Sequence, residues 1–303
     1  NATGMRNVSP PAAALNRVIE MTDNGAFFVT TEWLAEHLND PGLSIVDASW
    51  YLPAQGRDAR AEYDAGHIPR AVFFDHDLVV DPNSSLPHAL PSLRTFATFA
   101  ASMGISAHDT IVVYDGPGLF SSARAWWMFR VMGAKTVRIL EGGIDRWKAE
   151  GRFVTAKPTK VASCLFETDF DESRVATLDD MRQIVAAGTS QIADARSPGR
   201  FTGSEPEPRE GMRSGHMPGA RNVPAMSLAE NGALLPPEAL RQAFEAAGID
   251  LSRPVVTSCG SGVTAAVLAL ALETLGHDDI RLYDGSWTEW GGRDDTPVET
   301  GEP

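Results

Sequence analysis

Two cysteines occur in 303 residues, and one of them, Cys259, stands where a thiol could act as a nucleophile. It follows the β-type run Pro254 to Ser258 and precedes an apolar, helix-like stretch from Ala265 to Leu275. Between them lies Gly260-Ser261-Gly262-Val263-Thr264. A strand that ends in a glycine-containing loop and feeds a helix aims successive backbone N–H groups at one point. That point favours an anion and stabilises thiolate over thiol, and the thiolate is the attacking form. A buried cysteine is often only a small apolar filler. The two glycines around this one, in a strand-to-helix loop, argue for chemistry instead. Positions 260–266 contain no arginine, so the loop lacks the clamp that a cysteine phosphatase needs for phosphate.

The elements that must position this loop are legible because the chain repeats itself. Gly66-His67-Ile68-Pro69-Arg70-Ala71 recurs as Gly215-His216-Met217-Pro218-Gly219-Ala220, at an offset of 149. Ile45-Val46-Asp47-Ala48 recurs as Ile192-Ala193-Asp194-Ala195 at 147, Ile111 to Gly118 as Val255 to Gly262 at 144, and Gly142 to Trp147 as Gly285 to Trp290 at 143. Four blocks in one order mean a duplicated domain. Each half alternates short apolar β-type runs with helical patterns. Strands are predicted near 43–47, 71–74, 110–114 and 136–140, then near 190–194, 220–223, 254–258 and 280–283. Helices are predicted near 31–38, 92–103, 121–132 and 143–150, then near 177–187, 236–247, 264–275 and 286–291. This is an α/β fold, two tandem domains, each a parallel sheet flanked by helices on both faces. The expected layout is a flexible segment over 1–20, a first domain over 21–151, an extended linker over 152–176 and a second domain over 177–303.

Duplication also supplies a control. A residue present in both copies belongs to the fold, and a residue present in one is the better functional candidate. His67 and His216 share Gly-His-X-Pro, and Asp47 and Asp194 end equivalent strands, so both pairs read as structural. Cys259 is unpaired in this sense: Asp115 stands at its position in the first half, which reads as a non-catalytic copy.

Asp47-Ala48-Ser49-Trp50, the two Gly-His-X-Pro turns and above all Cys259-Gly260-Ser261-Gly262-Val263-Thr264-Ala265 resemble the two-domain rhodanese superfamily, and within it the 3-mercaptopyruvate sulfurtransferases. The resemblance spans about residues 25–295. It implies that Cys259 takes sulfur from 3-mercaptopyruvate as a persulfide, releases pyruvate, and passes the sulfur to a thiol, a thioredoxin-like protein or cyanide. It implies that the loop residues Gly260, Gly262, Val263 and Thr264 bind substrate through their N–H groups, and that no metal or organic cofactor is needed. The segment Arg200-Phe201 to Glu205-Pro206-Glu207-Pro208-Arg209 matches one that supplies substrate arginines in that family, so Arg200 and Arg209 are expected to hold the donor carboxylate. Arginine suits that task because its planar fork pairs bidentately with a carboxylate. The alternative for both is an ion pair with Glu205, Glu207 or Glu210; Arg196 is a weaker third candidate. The departing enolate needs a proton. Ser261 is the nearest hydroxyl, and Asp58 and His67 are expected to relay a proton from the other half. Trp50 and Trp287 are candidate cleft walls, and Cys164, in the linker, reads as incidental.

Thiosulfate sulfurtransferase is the rival activity, disfavoured by a loop without basic residues after the cysteine. A non-catalytic rhodanese-type binding module is a third reading, disfavoured by an intact Cys259. The net charge of −14 repels nucleic acid and anionic membranes, so neither is expected as a partner. No apolar run approaches a membrane span, and two free thiols suit a reducing compartment, read here as the cytoplasm.

Overall fold

A computed structural model describes residues 23–116 and 118–302 of the chain; the segment 1–20, expected to be flexible, lies outside the described residues. The first half contains β1 (Phe28–Val29), α1 (Thr31–His37), β2 (Leu43–Asp47), α2 (Ala59–Ala65), β3 (Ala71–Phe73), α3 (Leu93–Ser102), β4 (Thr110–Tyr114), α4 (Ser122–Val131), β5 (Thr136–Leu140) and α5 (Gly143–Ala149). The second contains β6 (Val175–Ala176), α6 (Leu178–Ala187), β7 (Gln191–Asp194), α7 (Pro198–Thr202), β8 (Ala220–Asn222), β9 (Ala229–Glu230), β10 (Ala233–Leu234), α8 (Pro237–Ala246), β11 (Val255–Ser258), α9 (Ala265–Thr274), β12 (Ile280–Tyr283) and α10 (Ser286–Trp290). Every strand and helix anticipated from the sequence is present, with ends that move by a residue or two. The elements not anticipated are the short ones: β1, β6, α2, α7 and the β9–β10 hairpin. Apart from the seven-residue α2, each spans five residues or fewer, too brief to show a period on its own.

Each half folds into a five-stranded parallel sheet, in the orders β1-β5-β4-β2-β3 and β6-β12-β11-β7-β8. Parallel strands are buried on both faces, which is why β4 and β11 read as unbroken β-branched runs. One face of the first sheet packs Leu34, Tyr63, Ile144 and Trp147 against Ile45, Val112 and Leu140. The other face joins its counterpart from the second sheet in a single apolar core that runs through both domains. Helices α4 and α9 meet at the centre of that core. Their burial explains their sequences: α9 is apolar all round, so it has no solvent face to mark.

The repeated Gly-His-X-Pro turn is explained by packing. The His67 ring stacks on Tyr63 at 4.0 Å and its Nδ1 bonds the Tyr63 carbonyl at 2.8 Å. His216 repeats this on Phe201 at 3.9 Å and the Phe201 carbonyl at 2.9 Å. Both backbones bridge to the chain that returns after the last helix of their domain, at Thr155 and Glu299. Phe166 anchors the linker by packing against Phe96 and Phe129.

His76 has no duplicate. Its Nε2 lies 3.0 Å from the Ala48 carbonyl, and burial drives its imidazole down to about 3. Between pH 6.5 and 3 the unfolded chain binds a proton there that the native chain does not. Stability therefore rises with pH across that window and is lost as pH falls through it, by about 1.4 kcal/mol per unit. Asp47, pushed up to about 6 by burial, works in the opposite direction, so the comparison is with a variant. Between pH 7 and 5, wild type should lose roughly 2 kcal/mol more stability than His76→Gln, measured as urea-unfolding free energies at the two pH values.

Candidate functional site

Cys259 is the residue after β11, a central strand of the second sheet, and it is buried. The neighbouring β7 leads off in the other direction, so the loops after β7 and β11 face one another at the switch point where open α/β sheets bind ligands. The start of α10 holds the outer side of the cysteine loop. The N–H groups of Trp287 and Thr288 donate to the carbonyls of Cys259 and Gly260, each at 2.9 Å, and Cys259 N–H donates to Ser286 Oγ at 3.2 Å. With those carbonyls tied down, the N–H groups of residues 260–265 have no acceptor among the described residues. Gly262 makes the turn at φ +82°; a Cβ there would lie 2.9 Å from the Asp284 carbonyl oxygen and 3.1 Å from the Arg124 guanidinium.

The first domain shows what such a loop binds. Asp115, at the cysteine position, folds its carboxylate into its own loop. Oδ1 accepts from Gly118 and Leu119 N–H at 3.0 and 2.9 Å, and Oδ2 accepts from Phe120, Ser121 and Ser122 N–H, each at 2.8 Å. Five backbone donors converge on one anion. The corresponding donors around Cys259 are left for the nucleophile and whatever it carries.

Arg200 comes from α7, and its guanidinium lies over Gly260, where a Cβ would be 2.9 Å from Nη2. It also pairs with Glu207 at 2.6 Å, one of the ion pairs anticipated as the alternative role. Glu207 is shared with Arg196, at 2.9 Å. Arg196 is fully buried, pairs with Asp194 at 2.6 Å and stacks over Trp287 at 4.3 Å. That makes Arg196 a structural strut and Trp287 part of the core rather than a cleft wall. Arg209 differs: among the described residues it has no ion pair or hydrogen bond. Burial and the neighbouring Arg200 charge push its guanidinium down from its ordinary range, while Cys259, Glu207 and Asp77 act in the opposite sense. Arg209 is thus a cation near Cys259 without a carboxylate of its own.

Ser261 is met from the first domain by His88, not by His67. His88 Nδ1 lies 3.0 Å from Ser261 Oγ, and its Nε2 lies 3.1 Å from Asp77 Oδ1. The Asp77 carboxylate can only accept, so Nε2 carries the proton and Nδ1 can accept from the serine hydroxyl. Trp50 holds this chain in place: its indole N–H donates to Asp77 at 3.2 Å, and its ring meets His88 edge-on at 4.9 Å. Trp50 thus packs against the Asp77–His88 pair beside Ser261. A surface cavity between β2, β3 and residues 155–162 contains none of these groups.

A rhodanese-like domain model matches residues 30–150 and again 177–293. The chain belongs to the rhodanese family. It is 43% identical over 296 residues to a mitochondrial thiosulfate/3-mercaptopyruvate sulfurtransferase of Arabidopsis thaliana, covering 90% of this chain and 78% of the relative. It is 42% identical over 274 residues to the 3-mercaptopyruvate sulfurtransferase of Escherichia coli K12, covering 90% and 98%. The crystal structure of SseA from Escherichia coli, a 3-mercaptopyruvate sulfotransferase, superposes with a TM-score of 0.81 at 40% identity, covering 86% of this chain and 99% of that one.

In this rhodanese Asp58 and His67, expected as a relay, do not meet Ser261. Asp58 is the N-cap of α2, accepting from Ala61 N–H at 3.0 Å, and His67 is occupied in its turn. Asp77 and His88 escaped attention because they lie in a loop without periodicity. A signal existed: eleven positions separate Val79 from Leu90, against seven from Leu228 to Leu235. The first copy therefore carries four extra residues, and His88 is among them or beside them. Its backbone sits at φ +58°, uncommon for a residue with a side chain and frequent at functional positions. Val263 and Thr264 complete the turn into α9 beside Gly260 and Gly262. Both cysteines are free thiols, and Cys164 lies in the linker, where burial pushes its thiol up.

Proposed function

We propose that this rhodanese moves sulfur from 3-mercaptopyruvate through a Cys259 persulfide to a thiol acceptor. The Cys259 thiolate attacks the donor's sulfur, forming the S–S bond as the C–S bond breaks. The electron pair of that bond stays on carbon as the enolate of pyruvate. The enolate takes a proton from the Ser261 hydroxyl, and the serine recovers one from Nδ1–H of a His88 imidazolium that Asp77 stabilises at Nε2; the neutral imidazole left behind is reprotonated from solvent. The N–H groups of Gly260, Gly262, Val263 and Thr264 hold the thiolate and then the persulfide. Arg200 and Arg209 hold the donor's carboxylate. The first domain, 21–151, serves as the non-catalytic copy that supplies Asp77 and His88, and the second, 177–303, as the catalytic one, joined by the linker 152–176.

One observation carries the choice of donor. The Asp77–His88–Ser261 chain delivers a proton, and a carbon leaving group needs one, whereas the sulfite released from thiosulfate does not. The test is steady-state sulfur transfer from 3-mercaptopyruvate and from thiosulfate side by side, with pyruvate assayed. A preference for mercaptopyruvate is expected, and equal or better use of thiosulfate would overturn the assignment. Arg209→Met should raise KM for mercaptopyruvate by about ten- to a hundredfold with a smaller change in kcat. Arg200→Met should do the same less severely, because Glu207 already engages that guanidinium.

The acceptor in this reading is a small thiol or a thioredoxin-like protein, with cyanide as an assay substitute. Among the described residues no helix is long and apolar enough to cross a membrane. Two unpaired cysteines support a reducing compartment such as the cytoplasm.

A further inference from the structure

We propose that the ion pair between buried Arg124 and partly buried Asp284 is the positioning device that seats His88 against the cysteine loop and so completes a site split between two domains. This rests on the reading above that His88 and Ser261 serve Cys259. Arg124 is on α4 of the first domain and is fully buried; Asp284 follows β12 of the second. The guanidinium reaches three acceptors. Nη2 donates to Asp284 Oδ1 at 2.6 Å and to the His88 carbonyl at 2.8 Å, and Nη1 lies 3.4 Å from the Gly262 carbonyl. Asp284 Oδ2 in turn accepts from Leu90 N–H at 2.7 Å. The pair therefore grips the chain just after the unusual His88 torsion, at the His88 carbonyl and the Leu90 N–H, and touches the loop that bears Ser261. Only a planar fork of donors can serve acceptors in these separate directions, which a lysine cannot do.

The duplication shows that the fold itself does not require this pair. Val267 occupies the position of Arg124 in the second copy. Glu141 occupies that of Asp284 and faces the local Arg146, at 3.8 Å. At the equivalent place across the pseudo-twofold, a plain backbone bond from Gly142 N–H to the Gly232 carbonyl, 2.9 Å, joins the domains. The interface also provides a control. Arg130 on α4 pairs with Glu273 on α9 at 2.5 Å, joining the same two helices but touching neither His88 nor the cysteine loop.

The experiment is a double-mutant cycle on kcat and KM with 3-mercaptopyruvate. It uses wild type, Arg124→Met, His88→Gln, the double variant and Arg130→Met, with folding checked by circular dichroism. Arg124→Met is expected to lower kcat by about ten- to a hundredfold, the scale of a misplaced catalytic group, with KM changed by less than about threefold. In the His88→Gln background the same substitution should cost nothing further, because the group it positions is gone. Arg130→Met should leave kcat near wild type. Losses that multiply in the double variant, or an Arg130→Met enzyme as impaired as Arg124→Met, would overturn the proposal while leaving the role of His88 intact. If His88→Gln alone retains full kcat, the reading of His88 fails first and the positioning role fails with it. Should Arg124→Met not fold, Asp284→Asn takes its place in the cycle, with the same expectation of no added loss beside His88→Gln.

Discussion

Cys259→Ser should abolish sulfur transfer from every donor while leaving the protein folded. The substitution changes one atom at a position that is 2% exposed, and the backbone bonds that hold the loop, to Ser286, Trp287 and Thr288, involve no part of the side chain that changes. Stability should shift by no more than about 1 kcal/mol. The chemistry has no substitute. A serine hydroxyl is not ionised near neutral pH as a thiol can be, and oxygen cannot store sulfur as a persulfide. Loss of a nucleophile that must form the covalent intermediate is worth several orders of magnitude, about 10⁴-fold or more. Two measurements separate this from a damaged fold. Intact-protein mass after mercaptopyruvate should show one added sulfur on wild type and none on the variant. Mercaptopyruvate should still raise the variant's melting temperature, because Arg200 and Arg209 are untouched. A variant that still turns over would mean that the sulfur is carried elsewhere.

How much of this was legible beforehand follows from the physics of each part. The strands were readable because parallel strands buried on both faces are long β-branched runs, as in Thr110–Tyr114. Cys259 was readable as the candidate nucleophile because duplication set it beside Asp115 at one position of one motif. The arginines were readable as types, though not in their difference. Nothing in the spacing separates Arg200, which shares Glu207 with Arg196, from Arg209, which has no carboxylate partner among the described residues. For a related reason the structure brings His88, not the expected His67, to Ser261. His67 sits in a strong motif, but the motif is strong because it builds a turn in both copies. His88 has no motif, since its partners Ser261 and Asp77 are 173 and 11 residues away. Contacts across a domain interface are not periodic, so no pattern in the chain reports them. Only length differences between the copies and residues that occur in a single copy point to them.

Asp115→Ala should be among the most destabilising single substitutions in the first domain, although Asp115 takes no part in the proposed chemistry. Among the described residues its carboxylate is the sole acceptor for five loop N–H groups, from Gly118 to Ser122, at 2.8–3.0 Å. The residue is 2% exposed, so water does not readily replace it. Hydrogen bonds to an ionised group contribute about 1.5–3 kcal/mol each, but five that share two oxygens are not additive. A loss of about 4 kcal/mol is the expected scale, the range reached when a buried charged network is broken. The cause can be isolated chemically. Formate restores to the alanine variant the carboxylate that was removed, so formate should raise its melting temperature in a dose-dependent way and leave wild type unmoved. The same N–H arrangement, transferred by duplication to the loop after β11, has no built-in carboxylate; there it meets a cysteine. An ancestral anion cradle therefore has two outcomes in one chain. In the first domain the anion is permanent and the loop is a structural clasp. In the proposed mechanism the anion of the second is the thiolate and then the persulfide, and the binding energy of the cradle is left for the sulfur in transit. If Asp115→Ala proves as stable as wild type, the five donors do not act together on one anion, and the inference from the first loop to the second loses its basis.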